Sequence, residues 1–150
     1  MDIEISQMLL SDLETIKDYL ISDFDDFWNY NILKEELISE NSKYIVAILN
    51  KTEIVGFAGI KIIFDEADIM NIVTKKTYRN VGIGSSLLER LIVISKNLKL
   101  SSITLEVNEE NISAIHMYKK FGFKSLGIRK NYYKDKNGII MTKNLMDKQS

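Results

Sequence analysis

Hydrophobic residues recur along the chain with two different periods, and each change of period marks the start of a new predicted element. Short apolar runs rich in β-branched residues predict strands, whereas apolar positions three or four residues apart predict helices. The pattern predicts seven strands and four helices in the order β α α β β β α β α β β. The predicted strands are 3–7, 44–49, 54–63, 67–74, 102–107, 123–130 and 139–145, and the second and fourth predicted helices are 33–39 and 112–121.

The ends of the other helices carry sequence signals of their own. Ser11 and Glu14 form a capping-box pattern, which predicts that the first helix starts there. The third helix opens after a turn that contains Gly82 and Gly84, and Gly122 is expected to end the fourth helix in a left-handed conformation. The predicted buried faces are Leu13, Ile16 and Leu20, then Leu37, then Leu87, Leu88, Leu91, Ile94 and Leu98.

Four polar segments connect the strands to their neighbours. Residues 50–53 and 135–138 have the composition and length of β-hairpin turns. The turn around Gly82 and the polar break at 108–111 each join a strand to a helix instead. The chain therefore combines hairpins with two strand–turn–helix units.

Composition limits the classes of protein to which this chain can belong. Its 150 residues, 45% of them hydrophobic, fit one domain spanning residues 1–150. It has no cysteine, which excludes disulfides and thiolate catalysis, and its net charge of -1 without a basic stripe argues against direct nucleic-acid binding. No apolar run approaches the ~20 residues that span a bilayer, and residues 1–5 lack the features of a signal peptide. We therefore expect a cytoplasmic protein with no membrane partner.

The glycine turn is the first candidate for chemistry. Gly82 and Gly84 lie where a strand becomes a helix, so backbone N–H groups and the helix dipole can face one anion. The turn lacks the lysine of a Walker A loop, and Leu87 stands where a dinucleotide-binding fingerprint needs a third glycine. Alone, it indicates either a phosphate site or merely a tight turn.

Two motifs in sequence order resemble the GNAT acetyltransferase superfamily. Residues 79–84 match its R/Q-x-x-G-x-G/A motif, and residues 105–123 match an acidic strand, an Asn-rich break and then A-I-x-x-Y-x-x-F-G-F. The resemblance covers nearly the whole chain, because the predicted order of elements is also that of the superfamily. It implies an α/β (α+β) GNAT fold, with a central mixed, mostly antiparallel sheet, a V-shaped splay between two central parallel strands, and about four flanking helices. It also implies an N-acetyltransferase that uses acetyl-CoA.

Further residues resemble the RimI group of that superfamily, whose members acetylate the amino-terminal alanine of a small-subunit ribosomal protein. The resemblance implies Glu106 as proton acceptor, Tyr118 as proton donor, and a protein or peptide N-terminus, most simply that of a small-subunit ribosomal protein, as partner. A solvent-facing carboxylate and a packing aromatic are the structural alternatives for these two residues. The residues that carry the resemblance are Leu105, Glu106, Val107, Asn111, Tyr118 and the run 127–133.

The same resemblance implies where acetyl-CoA binds, in a cleft between the strands that end at Thr74 and Val107. Asn80 and Ser85 stand where the group often has arginines, and Thr74 replaces a common valine. These departures shift the expected contacts with phosphate from side-chain charges to backbone N–H groups. The implied cofactor contacts are Ile72, Val73, Thr74, Asn80, Val81, Gly82, Ile83, Gly84, Ser85 and Asn111.

Several remaining side chains have two interpretations. The aromatic pairs Phe27-Trp28 and Tyr132-Tyr133 are candidates for walls of a peptide-binding groove, or they close an edge of the core. The basic pairs 119–120 and 129–130 are solvated faces or contacts to the cofactor's 3′-phosphate. His116 is the only histidine and has a lysine four residues later, so we expect no metal.

These residues alone do not identify the amine that accepts the acetyl group. An α-amine titrates near ~7.7–8.0 and a lysine near ~10.4, so a single glutamate base favours the α-amine. Two alternatives remain at this point: a GNAT enzyme that acetylates a small amine such as a polyamine, amino acid or antibiotic, and a non-catalytic acyl-CoA-binding module.

Overall fold

The computed structural model describes residues 2–24, 29–133 and 135–146. Seven strands and four α-helices lie within them, in the predicted order. The strands are β1 Ile3–Gln7, β2 Ser42–Leu49, β3 Glu53–Ile63, β4 Glu66–Thr74, β5 Ser102–Asn108, β6 Lys124–Tyr133 and β7 Lys136–Asn144. The helices are α1 Leu10–Ile16, α2 Tyr30–Ile38, α3 Ile83–Asn97 and α4 Ile112–Lys120, with short 3-10 helices at Lys17–Tyr19 and Lys76–Tyr78 and a π-helix at Leu20–Phe24.

The strands form one mixed sheet in the order β1-β2-β3-β4-β5-β7-β6. Pairing is antiparallel between β1 and β2, β2 and β3, β5 and β7, and β6 and β7. Strands β4 and β5 are parallel, with Glu66 opposite Ser102 and Asp68 opposite Thr104. The predicted mixed sheet, mostly antiparallel with one parallel pair, is confirmed.

The chain divides into two compact units, which we describe separately. Unit 1 comprises Met1–Lys61 and Met70–Leu91, and unit 2 comprises Ile62–Ile69 and Ile92–Ser150. The core of unit 1 contains Leu13, Ile16, Leu20, Phe24, Leu33, Val46 and Phe57. Buried residues of unit 2 include Ile103, Leu105, Val107, Phe123, Met141 and Leu145.

The predicted start of α1 is wrong. The helix begins at Leu10 because the Asp12 carboxylate accepts the backbone N–H of Leu9 at 2.7 Å, which satisfies a donor that the helix leaves free. Ser11 and Glu14 therefore lie inside the helix. The second helix also starts earlier than predicted, since the Asn29 side chain accepts from the N–H of Ile32 at 2.9 Å and caps it.

The predicted apolar face of α3 is correct near its start and wrong at its end. Leu87, Leu88 and Leu91 are fully buried, but Leu98 is 43% exposed because the helix ends at Asn97. Ser95 is buried instead. Among the described residues, no helix combines the length and apolar character that crossing a bilayer requires.

The hairpin turns differ in how well they were predicted. Asn50 and Lys51 have φ of 50° and 66°, as a tight turn between β2 and β3 requires. The predicted turn at 135–138 is displaced, because Tyr133 pairs with Lys136 and the residues after Lys136 belong to β7. Gly138 therefore lies inside a strand, opposite Asn108 of β5.

Candidate active site

The glycine turn of unit 1 connects β4 to α3 through two left-handed residues. Asn80 has φ of 65° and Gly82 has φ of 92°, and α3 begins at the next residue, Ile83. A Cβ added at Gly82 would meet no atom within 4 Å. Backbone conformation, and not crowding, is therefore the reason for glycine at this position.

A second glycine brings the helix close to the sheet. A Cβ on Gly56 of β3 would lie 3.0 Å from the Val73 carbonyl oxygen and 3.1 Å from side-chain atoms of Ile83 and Leu87. Only glycine fits this contact without displacing its neighbours. Gly56 thus lets the first turn of α3 pack beside the end of β4, which places two segments of predicted cofactor contacts together within unit 1.

The start of α3 fits a phosphate group. Its first N–H groups have no partner within the helix, and its first turn carries no acidic residue that would repel an anion. Asn80 and Val81 are exposed, while Gly84 and Ser85 are half-buried. The side chains of Val73 and Ile83 are buried in the core, so these two residues offer a cofactor mainly their backbone.

Ion pairs hold the chain that leads into this turn. The Lys75 ammonium lies 2.7 Å from Glu53, and the Tyr78 hydroxyl donates to the same carboxylate at 3.2 Å. The hydrogen bond from Lys75 holds the pKa of Glu53 below its usual range. Arg79 of the glycine motif donates to the Phe24 carbonyl at 3.4 Å. The turn is therefore tied to β3 and to the segment before α2.

A buried polar pair lies before the predicted cofactor segment of β4. Asn71 Nδ2 donates to the Tyr44 hydroxyl at 3.1 Å, and burial raises the pKa of Tyr44. The Tyr44 ring occupies the space over Gly59, where an added Cβ would lie 2.2 Å from a ring carbon. This contact fixes the middle of β4 against β2 and β3.

In unit 2, Glu106 lies on β5, with one carboxylate oxygen hydrogen-bonded and the other buried. Leu105 and Val107 are buried on one face of the strand, while Glu106 is half-buried on the other. Glu106 Oε1 accepts from Arg129 Nη1 at 3.2 Å. Glu106 Oε2 is buried and has no hydrogen-bond partner within residues 2–24, 29–133 and 135–146.

Tyr118 lies on α4, half-buried against Phe123. The two rings meet edge to face, with centroids 5.8 Å apart. Burial, with a smaller effect from Tyr133, raises the pKa of Tyr118 to about 12. The phenol is therefore protonated at neutral pH, which a proton donor requires, while its ring also packs in the structure.

The aromatic pair near the end of β6 approaches both candidate catalytic residues. Tyr132 and Tyr133 meet edge to face at 4.8 Å. Burial raises the pKa of Tyr133, and the charge of Glu106 raises it further. Tyr133 also raises the pKa of Tyr118, so it interacts electrostatically with both candidate catalytic residues of unit 2.

The other predicted contacts have different outcomes. Asn111 caps α4 by accepting the N–H of Ala114 at 3.3 Å, so its side chain already has a structural function. Phe27 and Trp28, predicted to line the acceptor groove, lie outside the described residues. His116 is exposed, and no group of three or more possible metal ligands occurs in the described part of the chain.

Sequence reasoning missed two residues that contact Glu106. The sequence predicts a solvated face or a phosphate contact for Arg129, but the structure pairs it with Glu106. Gly138 was assigned to a turn, yet a Cβ there would lie 2.8 Å from Glu106 Oε2. A glycine inside a strand often marks a close approach, but the sequence did not show that Gly138 was in a strand.

Comparison with known proteins places this geometry in context. Residues 5–123 match the Acetyltransferase (GNAT) family. A ribosomal protein bS18-alanine N-acetyltransferase from Haemophilus influenzae is 36% identical over 112 residues, 74% of each chain. The crystal structure of the ribosomal-protein-S18-alanine N-acetyltransferase from Escherichia coli superposes with a TM-score of 0.88 at 25% identity, covering 99% of this chain and 97% of that one. The PaiA N-acetyltransferase from Thermoplasma acidophilum, solved with coenzyme A, has a TM-score of 0.76 at 23% identity and covers 96% and 99%.

Proposed function

The chain belongs to the Acetyltransferase (GNAT) family and is an N-acetyltransferase, and from this premise we propose that it acetylates the N-terminal α-amine of a ribosomal protein. The acceptor named for its relatives is ribosomal protein bS18. The observation that carries the proposal is the pair of proton-handling side chains in unit 2, the half-buried Glu106 carboxylate on β5 and the half-buried Tyr118 phenol on α4.

Acetyl-CoA is the proposed co-substrate, and the turn before α3 is its proposed phosphate site. The first turn of α3 leaves N–H groups without partners in the helix, and the left-handed residues Asn80 and Gly82 lead the chain into that turn. The uncharged side chains of Asn80 and Ser85 leave the backbone as the main anion-binding element. When bound, acetyl-CoA supplies the activated thioester.

The proposed reaction moves one acetyl group to the amine and one proton from the amine to Glu106, and coenzyme A leaves as a thiolate. The neutral amine attacks the thioester carbonyl, its nitrogen loses a proton to Glu106 directly or through water, and the carbon–sulfur bond breaks. Tyr118 donates a hydrogen bond to the departing thiolate. Since the pKa of Tyr118 is about 12 and an ordinary thiol titrates near ~8.5, complete transfer of its proton is uphill by roughly three pKa units. The main function of Tyr118 is therefore to stabilise the departing sulfur by hydrogen bonding.

The preference for an α-amine follows from amine acidity. At pH 7 roughly one α-amine in seven is neutral, against about one lysine in 2,500. A site with a single carboxylate base gains most from the amine that is already partly deprotonated. This supports a protein N-terminus as acceptor.

Two substitutions test the roles of these residues. Glu106→Gln should lower kcat about 100-fold, and Tyr118→Phe at least about tenfold, because each removes one proton-handling group. Acetyl-CoA affinity, measured by calorimetry, should stay within about twofold because neither side chain belongs to the proposed phosphate site. Glu110→Gln and Tyr19→Phe are matched controls, since both parent side chains are exposed.

The acceptor is tested by competition. A short Ala-initiated bS18 peptide should consume acetyl-CoA faster than polyamines, amino acids or an aminoglycoside at equal concentration. Faster transfer to a small amine supports the small-molecule alternative, and acetyl-CoA binding with no transfer to any acceptor supports a non-catalytic module. Full activity in both Glu106→Gln and Tyr118→Phe contradicts the assigned mechanism.

A further inference from the structure

We propose that Arg129 and Gly138 are positioning residues, which hold the Glu106 carboxylate in a covered position until the acceptor binds. This inference rests on the proposed function, in which Glu106 is the base. Three observations carry it. They are the contacts of the two carboxylate oxygens of Glu106, the absence of a side chain at Gly138, and the position of the Arg129 guanidinium over the Tyr132 ring.

Neither oxygen of Glu106 is ready to take a proton. A general base needs a free oxygen within hydrogen-bond reach of the amine or of a bridging water. Oε1 is occupied by Arg129 at 3.2 Å. Oε2 is buried without a partner in the described part of the chain, so neither an amine nor a water molecule reaches it in this conformation. The carboxylate must therefore move before catalysis.

The absence of a side chain at Gly138 makes the covered position available. A Cβ there would lie 2.8 Å from Glu106 Oε2, about 0.6 Å inside ordinary van der Waals contact. Its other neighbours are atoms of Tyr132 at 3.4 Å, an ordinary distance. Gly138 does not have positive φ, so an L-residue meets no backbone strain at this position. The backbone of the strand therefore does not require glycine at position 138, and the missing side chain leaves room for the Glu106 carboxylate.

Arg129 covers the Glu106 carboxylate from the solvent side. Its side chain is 56% exposed, and its guanidinium lies 4.6 Å from the centroid of the Tyr132 ring while it also pairs with Glu106. The register of β6 against β7 shifts between Arg129 and Tyr133, where Asn131 has φ of 56°, so Tyr132 lies in an irregular stretch of the strand. Such an exposed ion pair is weak enough to open and close reversibly.

The arrangement links acceptor binding to release of the base. Tyr132 is one of the aromatic residues proposed to contact the acceptor, and it also supports Arg129. A peptide that contacts Tyr132 competes with Arg129 for the ring and thereby frees Glu106. While Glu106 is covered, the enzyme cannot transfer the acetyl group. The apparent kcat/KM is therefore the intrinsic value multiplied by the fraction of enzyme in which Glu106 is free.

Gly138→Ala is the direct test, because the new methyl group displaces the flexible end of Glu106 and leaves the main chain in place. Carboxyl footprinting of the acceptor-free enzyme, with a carbodiimide and glycine ethyl ester read by mass spectrometry, should modify Glu106 at least about threefold faster than in the wild type. The kcat/KM for the Ala-initiated peptide should rise about two- to fivefold, since an exposed ion pair is no longer broken on binding. The KM for acetyl-CoA should not change.

Three further variants separate positioning from a general structural effect. Gly127→Ala is the matched control, because Gly127 is on the same hairpin and a Cβ there meets nothing within 4 Å. It should leave both labelling and kcat/KM unchanged. Arg129→Gln removes the cation and should also speed the labelling of Glu106. In a Glu106→Gln background, Gly138→Ala should have no kinetic effect, since no carboxylate remains to be released.

The two proposals fail in different measurements. Equal labelling of Glu106 in the wild type and Gly138→Ala, or a lower kcat/KM in Gly138→Ala, overturns the positioning proposal whatever Glu106 does in catalysis. Normal activity of Glu106→Gln overturns the base assignment without affecting the footprinting result.

Discussion

Gly82→Ala tests whether the backbone of the glycine turn holds the cofactor. Gly82 has φ of 92°, and an added Cβ would meet nothing within 4 Å. The substitution therefore introduces no steric overlap, and its whole cost comes from placing an L-residue in a left-handed conformation. That cost is about 1–2 kcal/mol.

The strain must lower either the stability of the protein or its affinity for acetyl-CoA. If the turn keeps its shape, the strain lowers stability, and at about 2–4 °C per kcal/mol for a chain of this size the melting temperature falls by roughly 2–8 °C. If the turn relaxes, stability is preserved but the N–H groups ahead of α3 move. Each hydrogen bond to a charged phosphate is worth about 1.5–3 kcal/mol, so loss of one weakens acetyl-CoA binding by at least about tenfold.

Thermal unfolding and calorimetric titration with acetyl-CoA measure the two quantities on the same samples. Asn80→Gly is the informative comparison, because it removes the side chain while glycine tolerates the φ of 65° at that position. Gly127→Ala controls for a glycine substitution without left-handed backbone. We expect Asn80→Gly to bind acetyl-CoA within about threefold of the wild type, as a backbone-mediated contact requires.

A Gly82→Ala protein with wild-type melting temperature and wild-type acetyl-CoA affinity would refute this account of the turn. Tight binding by Gly82→Ala together with a large loss in Asn80→Gly would assign the contact to the Asn80 side chain instead.

Substitutions at two further positions test features that support the site. Gly59→Ala should lower the free energy of unfolding by about 3 kcal/mol, because the new Cβ would lie 2.2 Å from the buried Tyr44 ring; a loss below about 1 kcal/mol in urea denaturation would mean that the ring moves freely. Asn111→Ala should cost about 1 kcal/mol by removing the cap of α4, whereas Asn111→Asp keeps an acceptor for the N–H of Ala114. If acetyl-CoA affinity falls in Asn111→Ala but not in Asn111→Asp, the cap alone accounts for the residue; a loss in both variants assigns the amide to the cofactor.

The fold was predictable because the signals that specify it are local. Strand β1 was predicted with its observed bounds, and Gly122 has the left-handed φ of 93° expected at the end of α4. Periodicity and glycine conformation depend on neighbouring residues alone, so the sequence carries them directly. The wrong predictions are at the ends of elements: the start of α1, the outer end of α3 and the last hairpin turn. At the start of α1 and at the last hairpin turn, a specific hydrogen bond or strand pairing outweighed the local pattern.

The sequence by itself determined the order of elements, the glycine turn, and the identity of Glu106 and Tyr118 as candidates, because short motifs carry that information. Only the tertiary structure decided what surrounds them. The contact of Arg129 with Glu106 spans 23 positions. Gly138 lies beside Glu106 because β7 pairs with β5, and α4 and β6 separate these two strands along the chain. A shift of one residue in the register between β7 and β5 would turn every side chain of β7 to the opposite face, so no local pattern could reveal which glycine faces the carboxylate.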